Sequence, residues 1–361
     1  MNSQESTLNH PVFYDEPGSR HLASFLGYHV KDNEKVFVLV DENTQHHCLP
    51  LLLDKLPANL PVSVIEMKSG EKHKTIQTCL HIWEQLNDNL ADRNSIIINL
   101  GGGVVCDVGG FAASVYKRGI RFIHIPTTLM AMADASIGGK TGVDLHSLKN
   151  IVGTFQQPIG VFVYPHFLKT LPDRELYNGF AEMLKHGLLF EYNYFMQLAE
   201  AGPENLTTDD IRISVEIKSD IVQKDPKEKG IRKTLNFGHT IGHALESHSL
   251  LHDEEPLLHG EAIILGMMAE LLLSEKKHLA TQGDVDPVLS YLLDYAVLYD
   301  ITDSCIESII ALISNDKKSF HGAAGFSLFR KPGYILTGIE CDTELVRQSL
   351  AELKNVLQNN P

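Results

Sequence analysis

Cysteine is scarce in this chain, five residues in 361, and Cys48, Cys79, Cys106, Cys305 and Cys341 are scattered without a C-x-x-C pair. An odd, dispersed set excludes a disulfide framework and suits a reducing compartment; none of the five is an obvious nucleophile. Positive charge is short as well. Lys and Arg number 31 against 46 Asp and Glu, a formal charge of −15, which argues against nucleic acid or an anionic membrane as a partner. Any anionic substrate must therefore be gripped by local cations. Long hydrophobic runs are missing too. The most apolar stretch, from Ala262 to Leu273, is too short for a membrane span and is bracketed by Glu261 and Glu275, so a buried helix is expected there. The opening Met1-Asn2-Ser3-Gln4-Glu5-Ser6 has no basic segment followed by an apolar one, so no secretory signal is expected and the expected location is cytoplasmic.

What the composition does allow is a large core, since 43% of 361 residues are hydrophobic, enough for two domains. From about Lys35, short β-branched runs (Val36 to Val40, Val62 to Ile65, Ile96 to Leu100, Phe122 to Ile125) alternate with amphipathic segments such as Thr75 to Leu86, where Ile76, Leu80, Trp83 and Leu86 carry helical spacing. That alternation predicts βαβ units and a parallel sheet. After about Leu171 helical periodicity dominates. The expected fold is an α/β N-terminal domain with a parallel, Rossmann-like sheet (residues 1–170) followed by a mostly α-helical domain (171–361). The active site is expected in the cleft between them. The first twenty residues are polar and are read as loosely held.

Two motifs carry chemistry. Gly101-Gly102-Gly103-Val104-Val105-Cys106-Asp107 lies between a strand-like and a helix-like segment, where backbone amides could cradle a pyrophosphate. It departs from G-x-G-x-x-G, because it follows the third strand-like run, and a tight turn is the bland alternative. Asp41 and Asn43, just past the first such run, fall at the carboxyl edge of the sheet, where open α/β folds bind ligands. The second motif is metal-like: Glu182 in an apolar stretch, the segment from Asn236 to Glu246 with His239 and His243 four apart on one helical face, and His259. Glu182 could instead pair with Lys185, and His259 could be a core histidine. His248 and His252, in a polar stretch read as a loop, are expected to be solvated surface. Arg118, Lys140, Lys149, Lys185, Lys218 and Arg232 form a cationic set suited to a substrate with two or more negative charges. A metal beside a dinucleotide suggests redox chemistry at a carbon bearing a hydroxyl.

From about Asp41 to Asp316-Lys317-Lys318 the chain resembles the 3-dehydroquinate synthase family. The most specific segments are Ser69-Gly70-Glu71-Lys72-His73-Lys74, Gly101 to Asp107, Pro126 to Asp134, Gly138 to Asp144, Leu148-Lys149-Asn150 and the metal-like segments. The resemblance implies an NAD+- and metal-dependent enzyme converting 3-deoxy-D-arabino-heptulosonate 7-phosphate to 3-dehydroquinate and phosphate, with NAD+ transiently reduced. It implies Glu182, His239 and His259 as ligands of Zn2+ or Co2+, with His243 moved from ligand to substrate contact. It implies Asp41, Asn43, Glu71, Lys74, Gly102, Gly103, Asp107, Thr127, Thr128, Lys140, Lys149, Phe167 and Thr170 around the dinucleotide. Around the substrate it implies Lys140, Asn150, Lys185, Lys218, Arg232, Asn236, His243, Asp134 and Arg118, the last reaching in from a second subunit of a homodimer. Lys317 or Lys318 would add a phosphate contact. Two departures stand out. Cys106 replaces a glycine of the family's run, and His239 and His259 lie 259 − 239 = 20 positions apart, a few more than the family spacing. The rival readings are another sugar-phosphate cyclase, a metal-dependent polyol dehydrogenase, and a dinucleotide-sensing protein with a degenerate site.

Overall fold

The computed structural model describes residues 10–14, 20–31, 34–145, 148–319 and 325–359. Its strands in chain order are β1 (Val12–Tyr14), β2 (Val36–Asp41), β3 (Val62–Met67), β4 (Ile96–Gly101), β5 (Arg121–Pro126), β6 (Lys140–Leu145), β7 (Leu148–Phe155) and β8 (Gly160–Val163). Six of them form one sheet in the order β1-β8-β5-β4-β2-β3, with every pairing parallel. Continuous apolar runs such as Ile96-Ile97-Ile98 suit strands covered on both faces, and β4 is buried along its whole length. Chain order reverses beside β2, with β3 on one side and β4 on the other. In open α/β sheets such a reversal opens a crevice at the carboxyl ends of the strands, here just beyond Asp41 and Gly101.

By contact the chain divides into two compact units, Met1–Leu176 with Thr207–Gln223, and Tyr177–Leu206 with Lys224–Pro361. In the first, the Gly103–Val115 helix lies close on the sheet because it carries Gly109. A Cβ there would stand 2.0 Å from Asn99 Oδ1. The Asn99 amide meets His124 Nδ1 at 3.3 Å across β4 and β5, and burial lowers the His124 pKa to about 3, so its ring stays neutral. β6 and β7 form an antiparallel hairpin fastened to the same helix by hydroxyls, Ser114 to Thr154 at 2.8 Å and Thr154 to Thr141 at 2.7 Å. The Thr208–Lys224 helix also belongs here: the Arg212 guanidinium lies 5.1 Å from the centre of the Tyr14 ring.

The second unit is mainly helical, with one antiparallel hairpin, β9 (Phe326–Lys331) and β10 (Tyr334–Ile339). Its centre is the His259–Lys276 helix, buried from Gly260 to Ser274, as expected of a run that is apolar all round. The His239–His252 helix packs on it through glycines: a Cβ on Gly266 would lie 2.1 Å from the Gly238 carbonyl oxygen, and one on Gly242 would lie 3.0 Å from that of Ala262. Among the described residues no helix is long and apolar enough to cross a membrane.

Candidate active site

In the helical unit, the Asp173–Phe190 helix supplies Glu182, the His239–His252 helix His239 and His243, and the His259–Lys276 helix His259. Glu182 and Lys185 are 1% and 2% exposed, and the Lys185 ammonium pairs with Glu182 Oε2. The other carboxylate oxygen faces both imidazoles, with His239 Nε2 and His259 Nε2 each 3.6 Å from Oε1. The Lys185 ion pair and a carboxylate oxygen turned toward two imidazoles, alternatives in sequence terms, thus coexist on one side chain. Two ligands about 2.1 Å from a tetrahedral ion stand roughly 3.4 Å apart, so this donor set fits a small divalent cation with little adjustment.

Tautomers and charge agree with that fit. His239 Nδ1 lies 3.2 Å from the Phe237 carbonyl, the geometry of an Nδ1–H donor that leaves the Nε2 lone pair toward Glu182. Burial and then Lys185 hold His239 well below its ordinary pKa, in the neutral form a ligand needs. Burial also disfavours charge on His259, but Glu182 and Glu246 outweigh it and pull that imidazole up to about 9. The His259 ring is only half-buried, and the carboxylates of Glu182 and Glu246 on either side of it supply the negative charge. His243 is exposed, its ring 5.0 Å from His239 and 5.6 Å from His259, and nitrogens of all three histidines fall within 4.8 Å of one another. The four-residue spacing therefore does place His239 and His243 together. The Glu182 set has the tighter spacing.

Nearby in the same unit, Arg232 is buried, with its guanidinium donating to the Pro226 carbonyl at 3.1 Å. Asn236 donates to Glu228 Oε1 at 2.9 Å. Asp225 organises that turn by accepting backbone N–H groups from Lys229, Gly230 and Arg232. His248 and His252, expected in a solvated loop, lie instead in the last turns of the His239–His252 helix, stacked at 4.2 Å; His252 is exposed, but His248 is half-buried with its Nδ1 2.9 Å from Ser308 Oγ.

The sheet unit holds the other constellation. Gly102 caps the Gly103–Val115 helix without a side chain, leaving its first amides to an anion. Gly101 must be glycine, because a Cβ there would lie 2.5 Å from Val105. Cys106, the departure from the family run, is buried inside this turn with its Sγ 3.8 Å from the Gly101 carbonyl, and burial raises its thiol pKa; it packs the turn without closing it. Thr127 donates its N–H to Gly101 O at 3.0 Å, while the Thr128 hydroxyl accepts from Ala131 and starts the short turn that carries Asp134. Asp41 caps the Glu42–His47 helix through Thr44 and leaves Asn43 exposed.

Lys74, 5% exposed, is the hub: its Nζ lies 2.7 Å from the Asp107 carboxylate, 2.6 Å from Asn150 Oδ1 and 3.9 Å from Glu71. Burial disfavours its charge, but Asp107 and Glu71 outweigh burial and hold it cationic. Lys149 lies 3.6 Å from Glu71. Asn150 takes a left-handed φ of 56°, with its N–H donated to Asp144 at 2.7 Å. Lys140 is exposed at the start of β6, Phe167 is buried, and the exposed Thr170 bonds back to the Phe167 carbonyl. Lys218 binds Asp134 twice, at 2.5 Å to the carboxylate and 2.7 Å to the carbonyl.

Arg118 stands apart. It is exposed, in the turn beyond the far end of the Gly103–Val115 helix, roughly 20 Å of helix from the glycine turn. Lys117, Arg118 and Gly119 all have positive φ, a costly run for two non-glycine residues. The side chains of Lys317 and Lys318 lie outside the described residues. Sequence reasoning missed Glu228, Glu246 and Glu270. Glu246 was accessible, because it follows His239 at i+7 and His243 at i+3 on the same helical face.

The sequence profile of the 3-dehydroquinate synthase N-terminal domain matches residues 64–178, and that of the C-terminal domain matches residues 179–319. A curated 3-dehydroquinate synthase of Parabacteroides distasonis is 41% identical over 323 residues, covering 88% of this chain and 90% of that protein. Among solved structures, 2-epi-5-epi-valiolone synthase of Streptomyces hygroscopicus subsp. jinggangensis 5008, with NAD+ and Zn2+ bound, superposes with a TM-score of 0.83 at 25% identity, covering 97% of this chain and 98% of that one. A 2-deoxy-scyllo-inosose synthase complexed with carbaglucose-6-phosphate, NAD+ and Co2+ gives 0.82 at 26% identity, with coverages of 95% and 96%. With both profiles matched in tandem over most of its length, the chain belongs to the 3-dehydroquinate synthase family.

Proposed function

We propose that this protein converts 3-deoxy-D-arabino-heptulosonate 7-phosphate to 3-dehydroquinate and inorganic phosphate, as a carbon–oxygen lyase in the shikimate route to aromatic amino acids. The observation that carries the reading is the buried Glu182 carboxylate facing two imidazole nitrogens at 3.6 Å, in a chain whose two domain profiles match this family. Bound together, a divalent ion (Zn2+ or Co2+) supplies Lewis acidity and NAD+ a reversible hydride acceptor.

The protein's own groups bind and orient. Glu182, His239 and His259 hold the ion. The bare amides at Gly102 and Gly103 receive the pyrophosphate, with Asp41, Asn43, Glu71, Lys74, Asp107, Thr127, Thr128, Lys140, Lys149, Phe167 and Thr170 around the dinucleotide. Lys140 and Asn150 grip the substrate phosphate. Lys218, fixed by Asp134, and Arg232 take the carboxylate, while Lys185, Asn236 and His243 contact the reacting carbons' hydroxyls. Holding both ends of a flexible intermediate favours ring closure. Arg118, exposed at the far end of its helix, serves the site of a second copy in a homodimer, in the cytoplasm. Residues 1–170 form the NAD-binding domain and residues 171–361 the metal- and substrate-binding domain, except that the helix bearing Lys218 belongs by contact to the first compact unit.

The test is product formation. Metal-loaded protein given the heptulosonate and a trace of NAD+ releases phosphate and 3-dehydroquinate in amounts far exceeding the NAD+, with no lasting NADH absorbance. NADH accumulating in step with substrate consumed, without phosphate, would indicate a polyol dehydrogenase and overturn the proposal.

A further inference from the structure

The N-terminus of the helix bearing His239 lacks a cap of its own. Its N-cap residue is Gly238, with a left-handed φ of 80°, and no side-chain cap comes from the local sequence. A side chain would not fit, since a Cβ there would lie 2.5 Å from Met267 Cγ and 3.0 Å from the Met267 nitrogen. The orphan amides are satisfied from the neighbouring helix instead. Glu270, fully buried, accepts the Gly238 N–H on Oε2 at 2.7 Å and the Ile241 N–H on Oε1 at 3.1 Å. At the other end of the same seam the arrangement is reciprocal: Glu246, on the His239 helix, lies 3.4 Å from His259 Nδ1, on the first residue of the Glu270 helix.

We infer that Glu270 is a positioning residue for the metal centre, fixing where along the His259–Lys276 helix the His239 imidazole stands. The inference rests on the reading of Glu182, His239 and His259 as metal ligands. Its physical basis is tolerance. A slide of one residue along a helix is about 1.5 Å, whereas ligand distances are held within about 0.2 Å. A glycine seam of Gly238, Gly242 and Gly266 gives close contact but few interlocking side chains to resist sliding or rotation. Two carboxylate oxygens on amides three residues apart resist both at once. The carboxylate oxygens of Glu270 accept from backbone amides, so its effect on His239 passes through the backbone of residues 238–241.

The experiment compares wild type, Glu270→Gln and Glu270→Ala for Zn2+ affinity by chelator competition and for the visible ligand-field spectrum after Co2+ loading, with far-UV circular dichroism to establish folding. Glutamine keeps the shape but turns an NH2 toward one of the two amide donors. It is expected to weaken Zn2+ binding about ten-fold and to alter the Co2+ bands, with alanine weaker still. Should alanine fail to fold, the isosteric glutamine variant decides. Wild-type Zn2+ affinity and an unchanged Co2+ spectrum in Glu270→Gln would overturn the inference. A wild-type protein that binds neither ion would overturn the metal-centre reading itself, and this inference with it.

Discussion

Glu182→Gln is expected to abolish divalent-ion binding and turnover together, and to destabilise the fold as well. The carboxylate has two jobs, one oxygen toward His239 and His259 and the other paired with Lys185. Glutamine removes the ligand charge and leaves a buried ammonium without its counter-charge, a defect worth about 3–5 kcal/mol. The two jobs separate in a double variant: Lys185→Met in the Glu182→Gln background is expected to recover much of the thermal stability and none of the metal binding. Zinc content after dialysis and the thermal midpoint of the metal-free protein are the readouts. Stoichiometric zinc with normal turnover in Glu182→Gln would remove Glu182 from the site.

Lys74→Met carries the second-largest expected effect. Lys74 is buried between Asp107, on the first turns of the glycine-rich helix, and Asn150, on the β6–β7 hairpin, so its loss strands a carboxylate and releases a hairpin residue at once. NAD+ affinity should fall at least ten-fold, about 1.4 kcal/mol, and the KM for the phosphorylated substrate should rise with it. Stability should fall by about 3–5 kcal/mol and return in part with Asp107→Asn. Calorimetric titration with NAD+ and thermal unfolding measure both. An unchanged NAD+ Kd beside an unchanged Tm would contradict this role.

Most of the sheet was legible because its strands are runs of Val and Ile too apolar for any other environment. β1 and β8 were not: the three residues of β1 are too few to show a period and lie in a stretch that reads as loosely held, and the four of β8 are too few to stand out. The β6–β7 hairpin was hidden because Lys140, Gly142, Asp144, Lys149 and Gly153 interrupt its few core-facing positions, Val143 and Val152. The histidines could be found from residue type and spacing, and the buried Glu182 from its apolar surroundings. Glu228 and Glu270 could not. A glutamate in a sequence looks solvated, and only the packing of one helix on another shows that Glu270 lies at the end of its neighbour. Glu182 and Lys185 illustrate a different limit, since spacing posed metal and ion pair as alternatives, whereas one carboxylate oxygen pairs with Lys185 and the other faces both imidazoles.

In the proposed metal centre one divalent ion is held by Glu182, His239 and His259. Anomalous diffraction at the zinc edge from zinc-loaded crystals tests it most directly. The account predicts a single strong peak about 2.0–2.2 Å from a Glu182 oxygen and from Nε2 of both histidines. A peak elsewhere, such as on the stacked His248 and His252, with none among those three side chains, would contradict it.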